Sequence, residues 1–401
     1  MTPHQPPRFG TAVEGDSRFT RPELEAQFDH VLAHTNGVRL FGLRRTGKST
    51  EARALCARLH KLEPGAHIIE VDAQGMSSEG ALVADMLKKV PEAAKGLRDR
   101  FIQAVGSDEG IPMAVRGALQ KFAGAPAELQ AYFVPIMGAL ERALAQQTQA
   151  ILVIDELPWL CKSILESDAT DGRRRVDVLL ASLRRLRDRQ VRMVLLGSIG
   201  MVALLRQHGL NVEHLNDLKL FEIPPLPPEE ALAFLSWLVE RSQVKGWTDD
   251  HTQACLDECD ALYPAVLHLA FIELTVGGRA ASLGKFEDIF ADRVRPDFDA
   301  AIYAQFDRRL LQYRKLPAPL PRLALALLGQ AMALDTASAT LPELRQALQE
   351  GDDESDLRDA LTMLREDGFL TLRVPRKQPE RWSAASPLVT AWWAQSHGAR
   401  G

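Results

Sequence analysis

Short β-favouring runs recur along the first half of the chain: Val38–Phe41, Ile68–Val71, Ile151–Ile154, Val191–Leu196 and a weaker one, Leu218–Ile223. Such runs, nearly continuous in apolar residues, suit parallel strands buried on both faces. Between them the apolar positions switch to helical spacing, over 49–62, 174–189 and 200–207, and a helix from Glu23 to about His34 precedes the first strand. Residues 79–147 are rich in helix formers, broken near Gly106–Pro112 and Gly124–Pro126, and read as a helical insertion. Strand and helix alternating in this way predict an α/β domain with helices on both faces of a parallel sheet.

The pattern changes at Pro224-Pro225-Leu226-Pro227-Pro228, which can continue neither a strand nor a helix. Helical spacing then runs to about Val294, and Pro317, Pro319 and Pro321 mark a second joint. Beyond it the chain predicts a helix to about Leu334, a short one over Leu341–Leu348, another over Ser355–Glu366, and a hairpin of Phe369–Val374 and Glu380–Ser383 with Pro375–Pro379 at its tip. Three helices and a β-wing describe a winged helix. The organisation expected is a flexible lead over 1–20, an α/β core over 21–224, a helical region over 225–315 and a winged-helix domain over 316–401.

Composition narrows the function. The 401 residues carry 48 basic and 53 acidic side chains, a net charge of −5, so bulk positive charge drives no binding to nucleic acid or anionic lipid. Any polyanion must be held by a local patch. Four scattered cysteines, Cys56, Cys161, Cys255 and Cys259, form no disulfide framework and point to a reducing, cytoplasmic setting. No secretory signal opens the chain, and the longest apolar stretch, Met193–Leu205, is broken by Gly197, Ser198 and Gly200, short of the roughly 20 residues that span a bilayer.

The chemistry concentrates at two strand ends. Gly42-Leu43-Arg44-Arg45-Thr46-Gly47-Lys48-Ser49 fits G-x-x-x-x-G-K-[ST], and it follows a predicted strand and opens a predicted helix, as a phosphate-binding loop does. The glycines let backbone amides curl around phosphates, Lys48 offers charge to the outer phosphates and to catalysis, and Ser49 offers a hydroxyl to magnesium. Arg44, Arg45 and Thr46 lie within the loop, and Thr50 follows it. Asp155 and Glu156 end the strand at Ile154, where ligands gather in open α/β sheets. Asp155 suits magnesium and its water shell; Glu156 is placed to polarise an attacking water as a general base. Ser198 follows another strand and either contacts the terminal phosphate or water, or caps the helix that follows. His251, Cys255 and Cys259 share a helix face, as zinc ligands or as buried side chains.

GLRRTGKST, ILVIDE and VLLGS, followed by prolines and a helical region with LYPAVLHLAF, resemble the AAA-type ATPases of the archaeal-ATPase and signal-transduction NTPase (STAND) clade over residues 20–290. The resemblance implies a P-loop NTPase (AAA-like) parallel sheet, an all-α lid and a C-terminal winged helix, with ATP and Mg2+ as ligands. It also implies that Pro264, in a lid motif whose usual glycine is Leu262 here, lies near the nucleotide; the proline equally suits a helix start. The activity expected is a nucleotide-driven switch on a partner protein or DNA, in mobile-element handling or antiviral defence by family analogy, or else a nucleotide-dependent interaction module with negligible hydrolysis. A nucleotide-dependent oligomer fits the same analogy. Between Leu341 and Trp382 seven basic residues face ten acidic ones, a net of −3, so double-stranded DNA would be met through the wing, Arg373, Arg376, Lys377 and Arg381.

Overall fold

The computed structural model describes residues 18–62, 67–89, 95–121, 124–144, 150–259, 261–298, 302–333, 338–349, 352–374 and 379–397. Residues 1–17 of the expected lead, and Arg376 and Lys377 of the expected wing, lie outside them. The chain divides into two compact units, one of residues 23–41 and 51–221, the other taking in 42–50 and the chain from 222 onward.

The first unit is built on a parallel sheet. Helix α1 (Pro22–Ala33) leads into β1 (Gly37–Phe41), which the chain follows with α2 (Lys48–Leu62) and β2 (His67–Asp72). Five helices come next: α3 (Glu79–Lys89), α4 (Lys95–Gly106), α5 (Met113–Gln120), α6 (Pro126–Ala131) and α7 (Phe133–Leu144). Then follow β3 (Ala150–Asp155), α8 (Leu157–Ser167), α9 (Gly172–Asp188), β4 (Arg192–Gly197), α10 (Met201–Gln207) and β5 (Lys219–Leu220). The strand order is β2-β3-β4-β1-β5, every pair parallel. Five consecutive residues of β3 and five of β4 are buried, which is why these strands read as unbroken apolar runs.

Two local expectations are corrected. The last strand is shorter than Leu218–Ile223: only Lys219 and Leu220 pair with β1. Phe221 still donates its N–H to the Arg39 carbonyl at 3.0 Å, but Pro224 and Pro225, just beyond, have no N–H to extend the ladder. Helix α8 was unforeseen. Pro158 sits in its first turn and Leu157, Leu160, Cys161, Ile164 and Leu165 are buried along it. Helices α3 to α7 fill the stretch expected to be a helical insertion, burying Leu82, Met86, Leu97, Phe101, Ile136 and Leu140 in the same core as the sheet. Burial pushes the Cys161 thiol up to about 12, so it packs as a small apolar group.

In the second unit α11 (Pro228–Ser242), α12 (Asp249–Glu258) and α13 (Pro264–Leu274) are followed by the short α14 (Phe286–Ile289) and α15 (Arg295–Phe298). Then come α16 (Ala304–Tyr313), α17 (Leu320–Ala333), β6 (Ser338–Thr340), α18 (Leu341–Leu344), α19 (Glu354–Glu366), β7 (Leu370–Arg373), β8 (Arg381–Ala384) and α20 (Pro387–His397). Strands β6, β8 and β7 form an antiparallel sheet in that order. Phe306 of α16 packs 5.2 Å from Phe369 and 5.0 Å from Trp392, ring centre to ring centre, so the aromatic core of this end begins ahead of the proline joint. No helix among the described residues is long and apolar enough to cross a membrane.

Candidate functional site

Residues 42–49 leave the carboxyl end of β1 and enter α2 at Lys48, the context that a phosphate-binding loop needs. Three left-handed residues curl the backbone: Gly42 (φ 130°), Arg45 (φ 69°) and Gly47 (φ 97°). A Cβ added at Gly47 would meet nothing within 4 Å, leaving that side of the loop open to a ligand. Arg44 and Arg45 are exposed, Thr46 and Lys48 are buried, and Gly47, Ser49 and Thr50 are half-buried. The Thr46 hydroxyl donates to the Leu43 carbonyl at 3.1 Å. The Lys48 ammonium donates to the carbonyls of Gly42, at 3.1 Å, and Leu43, so the loop's cation is folded back onto its own backbone. The Arg44 N–H donates to Gln305 Oε1 at 2.9 Å, a partner on α16 that lies 261 residues further along the chain.

The second group of candidates closes the strands β3 and β4. Ile154 lies opposite Leu195, so Asp155 and Ser198 leave the sheet at one end, the end at which Phe41 lies opposite Gly197. Asp155 Oδ1 accepts the Glu156 N–H at 2.9 Å, and Glu156 itself is left-handed (φ 56°, ψ 33°) at the start of α8. A non-glycine residue there is strained, and such strain persists where the surroundings over-determine it. Glu156 Oε2 accepts two bonds from Ser198, one from its N–H at 3.1 Å and one from its hydroxyl at 3.0 Å. The hydroxyl in turn accepts from Trp159 Nε1 at 3.0 Å. The geometry thus joins two residues expected to act, Glu156 and Ser198, and adds a third that the sequence reading passed over. Its place one turn after Glu156 did not announce it, since the serine that it meets lies 39 residues on.

Among the described residues no group of three or more His, Cys, Asp or Glu gathers as a metal site. A hydroxyl (Ser49) and one carboxylate (Asp155) are hard oxygen donors of the kind that hold magnesium when phosphates supply the remaining ligands. The His251, Cys255 and Cys259 face gathers no such group. Both ring nitrogens of His251 are taken, Nδ1 by Thr248 and Nε2 by the Ala281 carbonyl at 2.9 Å, and both cysteines are buried. Pro264 is the first residue of α13, with Tyr263 as its N-cap, the position that proline's missing N–H favours. Burial pushes the Tyr263 hydroxyl up to about 12, so it remains protonated.

No protein-family model and no curated protein matches the chain. Among solved structures it is similar to the Walker-type ATPase of Pyrococcus abyssi, with a TM-score of 0.55 at 16% identity, covering 94% of this chain and 96% of that one. The ORC2 protein of Aeropyrum pernix in its ADP form scores 0.46 at 14% identity over 94% and 92% of the two chains. The same protein in its ADPNP-ADP complexes scores 0.42 at 13% identity over 96% and 95%. The first likeness runs through nearly the whole of both molecules and shows that this chain has the fold of a Walker-type ATPase.

Proposed function

We propose that the protein binds ATP with magnesium and hydrolyses it, using the change of nucleotide to switch its state toward a partner protein or DNA. The observation that carries this is the strand, G-x-x-x-x-G-K-S loop and helix unit in a parallel sheet whose β3 ends in Asp155-Glu156. In this reading the loop amides, with Arg44, Arg45, Thr46 and Thr50 around them, bind the phosphates. Lys48 exchanges the carbonyls of Gly42 and Leu43 for phosphate oxygens, gaining a charged acceptor in place of neutral ones. Ser49 and Asp155 hold magnesium, which when bound supplies charge neutralisation on the phosphate oxygens. Glu156 takes the proton of an attacking water, and Ser198 orients Glu156. Pro264 lies toward the nucleotide base.

The three-stranded sheet β6-β8-β7 with α17, α18 and α19 supports the winged-helix reading, and the family resemblance supports its position after a helical lid. In that reading β7 and β8, which carry Arg373 and Arg381, are the wing that meets DNA. A nucleotide-dependent oligomer remains part of the same proposal.

Phosphate release from ATP and magnesium tests the reading, measured for the wild type, Lys48→Ala and Glu156→Gln, each with and without duplex DNA. Lys48→Ala is expected to lose ATP binding and turnover together. Glu156→Gln is expected to keep ATP binding and lose turnover on the order of a hundredfold or more. Stimulation by DNA supports the wing as a contact. Tight ATP binding without turnover in the wild type would overturn the hydrolase and leave a nucleotide-locked interaction module.

A further inference from the structure

The Ser198 hydroxyl has one proton to give and lone pairs to share, and the indole of Trp159 can only donate. With Trp159 Nε1–H pointing at Ser198 Oγ at 3.0 Å, the hydroxyl acts there as acceptor, and its own proton goes to Glu156 Oε2, 3.0 Å away. The chain of bonds therefore has one direction, from indole to hydroxyl to carboxylate, and the Ser198 N–H adds a second donor to the same oxygen. Packing fixes the two ends. A Cβ on Gly197 would lie 2.5 Å from Pro158 Cγ, so only glycine lets β4 approach the first turn of α8 this closely. The Lys162 ammonium stands 4.8 Å over the centre of the Trp159 ring, a cation–π contact that holds the ring from its own helix.

We infer that Trp159 is a positioning residue for hydrolysis: by holding the Ser198 hydroxyl as a donor to Glu156, it keeps the left-handed Glu156 carboxylate in one orientation. This rests on the reading of Glu156 as the base that takes the proton of water. An imposed orientation matters because a base placed about 1 Å off loses on the order of a hundredfold in rate, while ground-state nucleotide binding does not depend on it. Without the indole N–H, the serine hydroxyl is free to turn its proton elsewhere, and Glu156 keeps only the peptide N–H.

Trp159→Phe removes the N–H together with part of the indole's packing surface, and the Ser198→Ala background separates the two losses. The expected result is a kcat lower by on the order of tenfold with KM for ATP unchanged. Ser198→Ala is expected to lower kcat at least as far, and Trp159→Phe placed in that background is expected to cost nothing more, since its only route to Glu156 is already gone. A packing role would instead add its loss in both backgrounds. Thermal melts of all four proteins, and kcat normalised to ATP-binding sites, separate an inactive fraction from a slower enzyme. A wild type with turnover and a Trp159→Phe variant equally fast, or a loss that is additive with Ser198→Ala, overturns the inference while leaving the ATPase intact. A wild type with no magnesium-dependent turnover overturns the ATPase reading and this inference together.

Discussion

His268 illustrates how a single side chain can set the pH range of the fold. It lies on α13 between Leu267 and Leu269, and burial pushes its imidazole down to about 4 from an ordinary 6.5. The folded state therefore holds it neutral, while the unfolded chain takes up a proton as soon as the pH drops below about 6.5. Stability from this residue is complete above that value and is lost progressively as the pH falls toward 4, by about 3 kcal/mol in the limit. Melting the wild type and His268→Leu at pH 7.5 and pH 4.5 checks the sign: the variant is expected to lose less on acidification, and an equal loss would assign the acid sensitivity elsewhere. At this scale the catalytic candidates were legible in the sequence because each was tied to a fixed offset from a strand end. The loop at 42–49 and the pair at 155–156 needed only the motif and the strand before it. Trp159 and Gln305 were not legible. The partner of Trp159 stands 39 residues away and that of Gln305 261 residues away, and no local pattern encodes such meetings.

At the scale of elements, the last turns of α9 carry arginines with two different fates. Three of them meet surface groups: Arg184 the Glu213 carbonyl, and Arg185 and Arg189 the carboxylate of Glu141. Arg187 is the exception, 2% exposed, and pairs with Asp217 at 2.7 and 2.8 Å while also donating to the His214 carbonyl. Burial works against the Asp217 charge, but Arg187 outweighs it and holds the carboxyl below its usual range. The pair ties α9 to the segment that delivers the chain into β5. Removing one partner leaves a charge unmatched, so Arg187→Ala is expected to cost about 3 to 5 kcal/mol. Replacing both, as Arg187→Met with Asp217→Leu, is expected to recover most of that loss; urea unfolding of the two variants decides it. Helices such as α2 and α9 were readable from spacing, while α8 was not, and the unbroken strands β3 and β4 were readable from their continuous apolar runs. Strand order was not readable, because β1 lies between β4 and β5 through long-range pairing that neither spacing nor composition records.

For the whole molecule the question is how a chain of net charge −5 could hold DNA. The final domain narrows it. Arg345 and Arg358 are both paired with Glu354, and Arg365 with Glu222, so three of the seven basic residues between 341 and 382 already answer carboxylates. Helix α19 opens on acids used as caps: Asp353 accepts the N–H groups of Ser355, at 2.7 Å, and Asp356, at 2.9 Å. That serves the helix dipole and repels phosphate. In the proposed function the DNA contact falls to Arg373, Arg376, Lys377 and Arg381. Four cations can neutralise at most about four phosphates, and each contributes about 0.9 to the slope of log affinity against log salt. Fluorescence anisotropy of a labelled duplex, titrated at several salt concentrations, is therefore expected to give a slope no steeper than about −4. Arg376→Glu with Lys377→Glu is expected to flatten it by about 2. A slope near −8 would mean that another surface carries the contact. No binding at low salt, or binding that ignores these two substitutions, would turn the proposed switch toward a protein partner, for which an acidic helix face is no obstacle.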